Sequence, residues 1–251
     1  MLTKNELKYY SSLLTKKFRK QENKFIIEGP KLIKEAIDAN FKCEIVFVTK
    51  TFSESNLEII EDLKKNKSRI EIIKTNDFEK LSETKTPQEI IAVFLKKLDS
   101  VNEFLENLIV ALEDVSDPGN LGTIIRNCDW FGIRTVLLSE ACAEIYNPKV
   151  IRASAGSVFH LSIMETKDFY LSLSELKKEK YHLVCADTDG KNLYQFEKSS
   201  KKVVVFSNEA NGPTNQLLGL IDEKVTIPGK GSAESLNVAS ASAVILSELT
   251  R

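Results

Sequence analysis

Six apolar runs in the second half of the chain constrain its fold more than any other feature of the sequence. They are LIVALED (108–114), TVLLSE (135–140), FHLSIME (159–165), HLVCADT (182–188), KVVVFSNE (202–209) and KVTIP (224–228). Their near-continuous apolar character is typical of strands buried on both faces of a mainly parallel sheet. Helical patterns separate the runs, at 120–132, 147–156, 167–180, 213–221 and 235–249. Residues 108–251 are therefore predicted to form a doubly wound α/β domain.

The first hundred residues also alternate between helical and strand patterns. Helices are predicted at 4–18 and 29–41, with shorter helical segments near 54–66 and 76–84. Strands are predicted at 44–49, 69–74 and 90–95. These patterns indicate a small α/β domain over residues 1–97. A polar linker, partly helical, is predicted at 98–107, before the larger domain.

Composition limits the class of protein. The chain has 251 residues, of which 42% are hydrophobic and 28% charged, as in an ordinary globular protein. No apolar run approaches the roughly 20 residues of a membrane helix, and the N-terminus lacks the apolar core of a signal peptide. The four cysteines are far apart and form no C-x-x-C pair, and the two histidines form no ligand cluster with them. We therefore expect a cytoplasmic protein with reduced cysteines, no bound metal and no membrane segment.

A net charge of −1 conceals an asymmetry between the two halves. Residues 1–100 hold 20 Lys and Arg against 16 Asp and Glu, and the remainder of the chain holds 15 against 20. The positive charge concentrates in KKFRKQENK (16–24). This segment is either a solvated helix end followed by a loop or a patch that contacts phosphate groups.

Three loops that follow predicted strands are candidates for a functional site, because ligands of open α/β sheets bind at the carboxyl ends of strands. The first, EDVSDPGNLGTIIRNCDWFG (113–132), contains neither G-x-G-x-x-G nor a P-loop sequence. Asn120 is a good helix cap there. Arg126 lies in an otherwise apolar stretch, either on the outer helix face paired with Asp129 or as a phosphate-binding residue.

The other two loops are equally ambiguous when each is considered alone. In VVVFSNEANGPT (203–214), Glu209 is either part of a simple turn or a carboxylate of a site. In IPGKGSAESLN (227–237), Ser235 caps the last helix or Asn237 points its amide outward.

Taken together and in this order, the loops resemble the three motifs of the SpoU (TrmH) family of RNA ribose 2′-O-methyltransferases, within the SPOUT superfamily. DPGNLGTIIRNCDWFG carries the first motif, FSNEANG the second and IPGKGSAESLNVASASAVILSE the third. The segment RKQENKFIIEGPKLIKEAI (19–37) resembles the substrate-binding domain that precedes the catalytic domain in many members. The likeness therefore covers nearly the whole chain.

The resemblance implies a C-terminal trefoil knot, a homodimer and S-adenosylmethionine bound in the knot. The implied cofactor-binding residues are Ser207, Gly212, Ile227 and Leu236. The implied catalytic residues are Asn120, Arg126, Glu209, Ser235 and Asn237. The family usually has Gly where this chain has Ser207, whose side chain is expected to turn away from the cofactor, and commonly Met where it has Gly229.

The resemblance also gives the basic segment a use in RNA binding, through Lys16, Lys17, Arg19, Lys20 and Lys24. The neighbouring aromatic residues Phe18 and Phe25 are expected to pack internally rather than stack on bases. Ribosomal RNA is the first expected substrate and transfer RNA the second.

Two competing hypotheses come from other classes of protein. A nicotinamide-dependent oxidoreductase conflicts with the missing dinucleotide fingerprint. A non-catalytic RNA-binding or ribosome-assembly protein conflicts with the presence of all five polar residues. Binding of nicotinamide cofactors, or failure to bind S-adenosylmethionine, would distinguish these hypotheses from the methyltransferase.

Overall fold

The computed structural model of the protein describes residues 2–97, 106–197 and 201–251. It divides into two compact units, one of Met1–Leu98 with Tyr146–Arg152 and one of Asp99–Ile145 with Ala153–Arg251. Most of the predicted linker at 98–107 lies outside the described residues. None of the helices in the described ranges is long and apolar enough to cross a membrane.

The first unit is built on a four-stranded sheet. Its helices are α1 (Lys4–Ser12), α2 (Lys16–Glu22), α3 (Pro30–Asp38), α4 (Lys50–Ser55), α5 (Leu57–Lys65) and α6 (Thr75–Phe78), the last followed by a 3₁₀ turn at Glu79–Leu81. Its strands are β1 (Lys24–Glu28), β2 (Cys43–Thr49), β3 (Ile70–Ile73) and β4 (Ile90–Leu95), in the order β1-β4-β2-β3. Strand β4 is antiparallel to both neighbours, and β2 pairs with β3 in parallel.

One expectation for this unit is wrong, and one strand was not predicted. The predicted helix at 4–18 is two helices, because the chain leaves the helical conformation after Leu13, and Thr15 is extended. The guanidinium of Arg19 donates to the carbonyl oxygens of Leu13 and Leu14, at 3.0 and 2.7 Å, and so satisfies acceptors at the end of α1. Residues 24–28, for which no strand was predicted, form a buried strand at the sheet edge beside β4.

The second unit is an α/β layer structure, as predicted. Its strands are β5 (Leu108–Glu113), β6 (Thr135–Ser139), β7 (Ser162–Thr166), β8 (His182–Asn192), β9 (Lys202–Ser207) and β10 (Glu223–Thr226). Its helices are α7 (Pro118–Trp130), α8 (Pro148–Ala153), α9 (Phe169–Lys178), α10 (Asn215–Leu218) and α11 (Val238–Leu249), with most of α8 grouping with the first unit. All pairs in the order β10-β8-β9-β5-β6-β7 are parallel, which confirms the predicted parallel sheet.

The pairing of β8 with β10 is irregular. Lys224 lies opposite Cys185, but the next residue, Val225, lies opposite Lys191, so β8 makes an excursion between them. Within this excursion Gly190 passes against the backbone of β10, where a Cβ atom would lie 2.7 Å from the Lys224 carbonyl carbon. Only glycine permits so close an approach of two chains.

Candidate functional site

The loops after β9 and β10 line a cavity in the second unit that is open to solvent. Its volume is about 680 Å³, within the range of small-molecule sites. Strand β8 contributes Ala186–Thr188. The end of β9 and the loop after it contribute residues 206–209, 212 and 213, and the segment from the end of β10 to the start of α11 contributes most of 226–238. The cavity thus lies at the carboxyl ends of parallel strands, where an α/β sheet binds its ligands.

Three of the five predicted catalytic residues are joined by hydrogen bonds at the edge of this cavity. The Asn120 amide donates from Nδ2 to Glu209 Oε1, and Asn237 Nδ2 donates to Asn120 Oδ1 at 3.1 Å. Asn237 Oδ1 accepts from the backbone N–H groups of Ala239 and Ser240, which fixes the orientation of its amide. One side chain from each of the three loops therefore enters a single network.

The structure assigns the helix caps differently from the sequence prediction. Asp117 caps α7 by accepting from the Asn120 N–H at 2.9 Å, so Asn120 lies inside the helix and its side chain is free to reach the other two loops. Asn237, and not Ser235, caps α11. Ser235 is exposed and lines the cavity.

Arg126 lies on the exposed face of α7. The alternative that it pairs with Asp129 is wrong, because the Asp129 carboxylate instead lies 2.9 Å from Nδ1 of His160. Among the residues that the structure describes, Arg126 has neither an ion pair nor a hydrogen-bond partner. A guanidinium that is permanently charged and has no partner within the protein can bind an external anion.

All four predicted cofactor-binding residues line the cavity. The Leu236 side chain is 53% exposed, so it offers free apolar surface to a ligand. Gly212 has φ +64°, a conformation that favours glycine even though a Cβ atom there would meet nothing. Ile227 follows the last strand directly.

Ser207 has its hydroxyl turned into the protein. Its Oγ is buried and has no well-formed hydrogen bond within the described ranges, although it lies near the Cys185 thiol. Burial raises the pKa of that thiol to about 12, a change that the weak contact with Ser207 only partly opposes. The expectation that Ser207 presents its backbone and not its side chain to the cavity agrees with this orientation.

Asp187 is a cavity residue that the sequence prediction missed. Its carboxylate lies 2.7 Å from Nζ of Lys224. Partial burial opposes its charge, but the hydrogen bonds from Lys224 and the Thr188 N–H, together with the positive charge of Lys224, outweigh that cost and lower the pKa of Asp187. The signal available was an acidic residue at the end of an apolar run, the same signal that marked Glu209.

The basic segment of the first unit is divided between surface and interior. Lys16, Lys17 and Lys20 are exposed, and Phe18 is 37% exposed with the Lys17 ammonium 6.0 Å from its ring centroid. The expectation that Phe18 packs internally is therefore wrong, whereas Phe25 is fully buried.

Arg19 and Lys24 are both engaged inside the first unit. Arg19 is 2% exposed. Contrary to the expectation, its guanidinium is therefore not available to contact RNA. Lys24 Nζ lies 2.5 Å from Glu44 and 3.0 Å from the Tyr9 hydroxyl. Partial burial opposes the charge of Lys24, but these hydrogen bonds and the Glu44 charge outweigh it and raise its pKa.

Within the described parts of the chain, no group of three or more His, Cys, Asp or Glu side chains is placed to hold a metal ion. The candidate site thus consists of amide, carboxylate, hydroxyl and backbone groups around a cavity of mixed polar and apolar lining, with a free guanidinium on α7.

Comparison with known proteins identifies the family. Residues 107–247 match the SpoU rRNA Methylase family, and residues 4–92 match the MRM3-like substrate binding domain. The chain is 32% identical to 23S rRNA (guanosine(2553)-2′-O)-methyltransferase RlmP of Bacillus subtilis (strain 168) over 246 residues, which cover 97% of this chain and 95% of that protein.

Solved structures agree with the family match. A structure from Porphyromonas gingivalis, assigned to the TrmH family of RNA methyltransferases, is 31% identical with a TM-score of 0.87, covering 99% of this chain and 98% of its own. The AdoMet-bound rRNA methyltransferase from Sinorhizobium meliloti is 25% identical with a TM-score of 0.85, covering 99% and 95%. The resemblance drawn from the three loop motifs is confirmed, and the chain belongs to the SpoU rRNA methylase family.

Proposed function

We propose that this protein transfers a methyl group from S-adenosylmethionine to a ribose 2′-hydroxyl of ribosomal RNA. The observation that carries the proposal is the hydrogen-bonded network of Asn120, Glu209 and Asn237 at the edge of a cavity lined by all four predicted cofactor residues. Ribosomal RNA is favoured over transfer RNA because the relative that matches along nearly the whole chain is named as a 23S rRNA methyltransferase.

The residues present fit S-adenosylmethionine. The cavity volume is suitable, Leu236 supplies apolar surface, and the loops at Ser207, Gly212 and Ile227 supply backbone groups. When bound, the cofactor supplies a methyl group already activated on a sulfonium centre. The protein itself must therefore orient the ribose and stabilise the oxygen that attacks.

The ribose hydroxyl is a very weak acid, so its developing negative charge needs stabilisation. We assign this role to Arg126, whose guanidinium remains charged and whose planar fork suits both a phosphate and an oxyanion. The hydroxyl proton passes to a phosphate oxygen, to water or to Glu209. Glu209 is held through Oε1 by Asn120, and its other carboxylate oxygen accepts no hydrogen bond from the described residues.

Asn120 and Asn237 act as orienting groups in this scheme. Because the Asn237 amide is fixed by the backbone of α11, it fixes Asn120, which in turn fixes Glu209. Ser235 lies exposed on the cavity wall and is assigned to the ribose. Such preorganisation lowers the barrier by holding the reacting groups in line.

RNA attraction is assigned to the first unit, through Lys16, Lys17 and Lys20. These lysines are exposed and carry no ion pair within the part of the chain that the structure describes, which leaves their charges available to phosphate groups. Arg19 is removed from this set because its guanidinium is buried.

The trefoil knot, the homodimer and the cytoplasmic location belong to the same proposal. Support for the knot is the family membership. Support for the homodimer and the location is the family resemblance alone.

The test is to map ribose methylation across total cellular RNA with and without this gene, and to repeat the reaction with purified protein. We expect one 2′-O-methyl nucleotide in ribosomal RNA to disappear without the gene, and purified protein to restore it with S-adenosylmethionine. A site in transfer RNA instead would correct the substrate. Failure of the purified protein to bind S-adenosylmethionine at millimolar concentration would favour the non-catalytic alternative.

A further inference from the structure

A buried carboxylate outside the predicted catalytic set lies at the carboxyl end of β5. Glu113 is 1% exposed. It accepts hydrogen bonds from the Tyr170 hydroxyl at 2.8 Å, from the Thr214 hydroxyl at 2.6 Å and from the Thr214 backbone N–H at 3.2 Å. Burying a carboxylate is costly unless donors compensate for lost water, and here two of the three bonds come from one residue.

Thr214 connects this carboxylate to the wall of the cavity. It is the N-cap of α10, where its hydroxyl accepts from the Leu217 N–H at 3.1 Å. It also ends the loop that follows β9, of which Asn208, Glu209, Gly212 and Pro213 line the cavity. Glu113 therefore fixes the position at which this loop ends.

The start of the same loop is fixed by the next residue of the chain, Asp114. Its carbonyl oxygen accepts from Asn208 Nδ2 at 2.9 Å, and Asn208 Oδ1 accepts from the N–H groups of Ala210 and Asn211. Asp114 has φ +57°, an uncommon conformation for a residue other than glycine. Ser139 holds it there by accepting from its N–H and donating to its carboxylate.

We propose that Glu113 is a positioning residue for the cofactor, acting through Thr214 on the loop at residues 208–214. This inference rests on the proposed function, because the ligand concerned is the S-adenosylmethionine of that site. Glu113 itself does not line the cavity. Loss of its bond to Thr214 frees the Gly212–Pro213 end of the loop, whereas Glu209 at the other end keeps its bond to Asn120. The effect is therefore expected on cofactor affinity more than on the chemical step.

A matched pair of substitutions tests the inference in the full-length protein. Thr214→Val removes the hydroxyl bond between Glu113 and the loop at nearly constant volume. Tyr170→Phe removes the other hydroxyl bond to the same carboxylate, at 2.8 Å against 2.6 Å for Thr214. The Tyr170 hydroxyl also lies 3.1 Å from that of Thr214, but its loss leaves both bonds from Thr214 to Glu113 in place. Titration calorimetry measures the Kd for S-adenosylmethionine, and initial rates on ribosomal RNA give kcat and KM. Thermal unfolding of each variant reports whether it is folded.

Thr214→Val is expected to raise the Kd and the cofactor KM about tenfold, as loss of a charge-assisted hydrogen bond implies. Its kcat, and both constants of Tyr170→Phe, should stay within about threefold of the wild-type values. Equal increases in Kd for the two variants, or no increase in either, would overturn the inference. A purely structural role would lower the melting temperature and the active fraction of both variants while leaving KM unchanged.

Two substitutions of Glu113 itself complete the test. In Glu113→Gln the amide oxygen can accept from the Thr214 N–H while both hydroxyl groups rotate to accept from the amide nitrogen, so the loop stays attached. In Glu113→Ala nothing replaces these bonds. We expect Glu113→Ala to match Thr214→Val, and Glu113→Gln to keep near-normal cofactor affinity; equal losses in both would overturn the inference. If wild-type protein itself does not bind S-adenosylmethionine, the proposed function fails first and the inference with it.

Discussion

Replacing Ser207 by Ala is expected to stabilise the protein. The Ser207 Oγ is buried without a well-formed hydrogen bond to any residue in the described ranges, and it makes only a weak contact with the Cys185 thiol, a weak donor. An unsatisfied buried hydroxyl costs about 1–3 kcal/mol. Allowing for the weak thiol contact, we expect Ser207→Ala to raise the free energy of unfolding by about 1 kcal/mol, or the Tm by about 2–4 °C.

Ser139 supplies a matched control, because it is also a buried serine at the end of a parallel strand of the same sheet. Its hydroxyl accepts from the Asp114 N–H at 2.9 Å and donates to the Asp114 carboxylate at 2.6 Å. Ser139→Ala should therefore destabilise the protein by about 1–3 kcal/mol. Urea unfolding followed by circular dichroism measures both variants, and equal m-values ensure that the comparison concerns stability. A loss of stability in Ser207→Ala comparable to that in Ser139→Ala would refute the reasoning.

Three further outcomes test the assignments of individual side chains. Arg126→Ala should abolish methyl transfer, with a cofactor Kd close to that of wild type, and Arg126→Lys should also fail because an ammonium cannot bind bidentately; a parallel loss of cofactor binding in calorimetry would contradict the assigned role. Reversing the charges of Lys16, Lys17 and Lys20 to Glu should weaken RNA binding and flatten its dependence on salt, and unchanged affinity in a filter-binding titration would remove this surface from RNA recognition. Because burial raises the pKa of Cys185 to about 12, its thiol should resist a thiol-specific reagent at pH 8 until the protein is denatured, as mass spectrometry of the labelled peptide would show.

The sequence was sufficient to predict the parallel sheet and the edge of it at which the candidate residues of the loops lie. Parallel strands are buried on both faces, so their apolar runs stand out, and their carboxyl ends necessarily lie at one edge of the sheet. The predicted residues Asn120, Glu209 and Asn237 meet there for this reason. The residue that caps α7 was less predictable. Asp117 and Asn120 are both good capping residues, and only the backbone conformation decides between them.

The errors in the first unit have a different origin. Arg19 looks like a surface residue because it lies among lysines, and the one-dimensional pattern does not show that α1 ends at Ser12 and leaves carbonyl groups in need of donors. Phe18 looks like a core residue because aromatic side chains usually are, but on the short helix α2 it is the neighbouring Arg19 that points inward. Within one turn of α2, the charged residue Arg19 is therefore buried and the aromatic residue Phe18 is exposed, the reverse of the usual arrangement.

The loop at 227–237, which follows β10, shows how a strand at the sheet edge can still supply a residue to the candidate site. Strand β10 is separated from β5 by β8 and β9, a distance of about 14 Å at ordinary strand spacing. The chain between Thr226 and Val238 can span at most about 40 Å when extended, so it is far longer than this separation requires. The excess length does not fold into regular structure but forms a wall of the cavity before Asn237 reaches Asn120. The polar, glycine-containing stretch at 229–237 is therefore explained by its position: it must curve along the cavity wall and still place its last residue at the cap of α11.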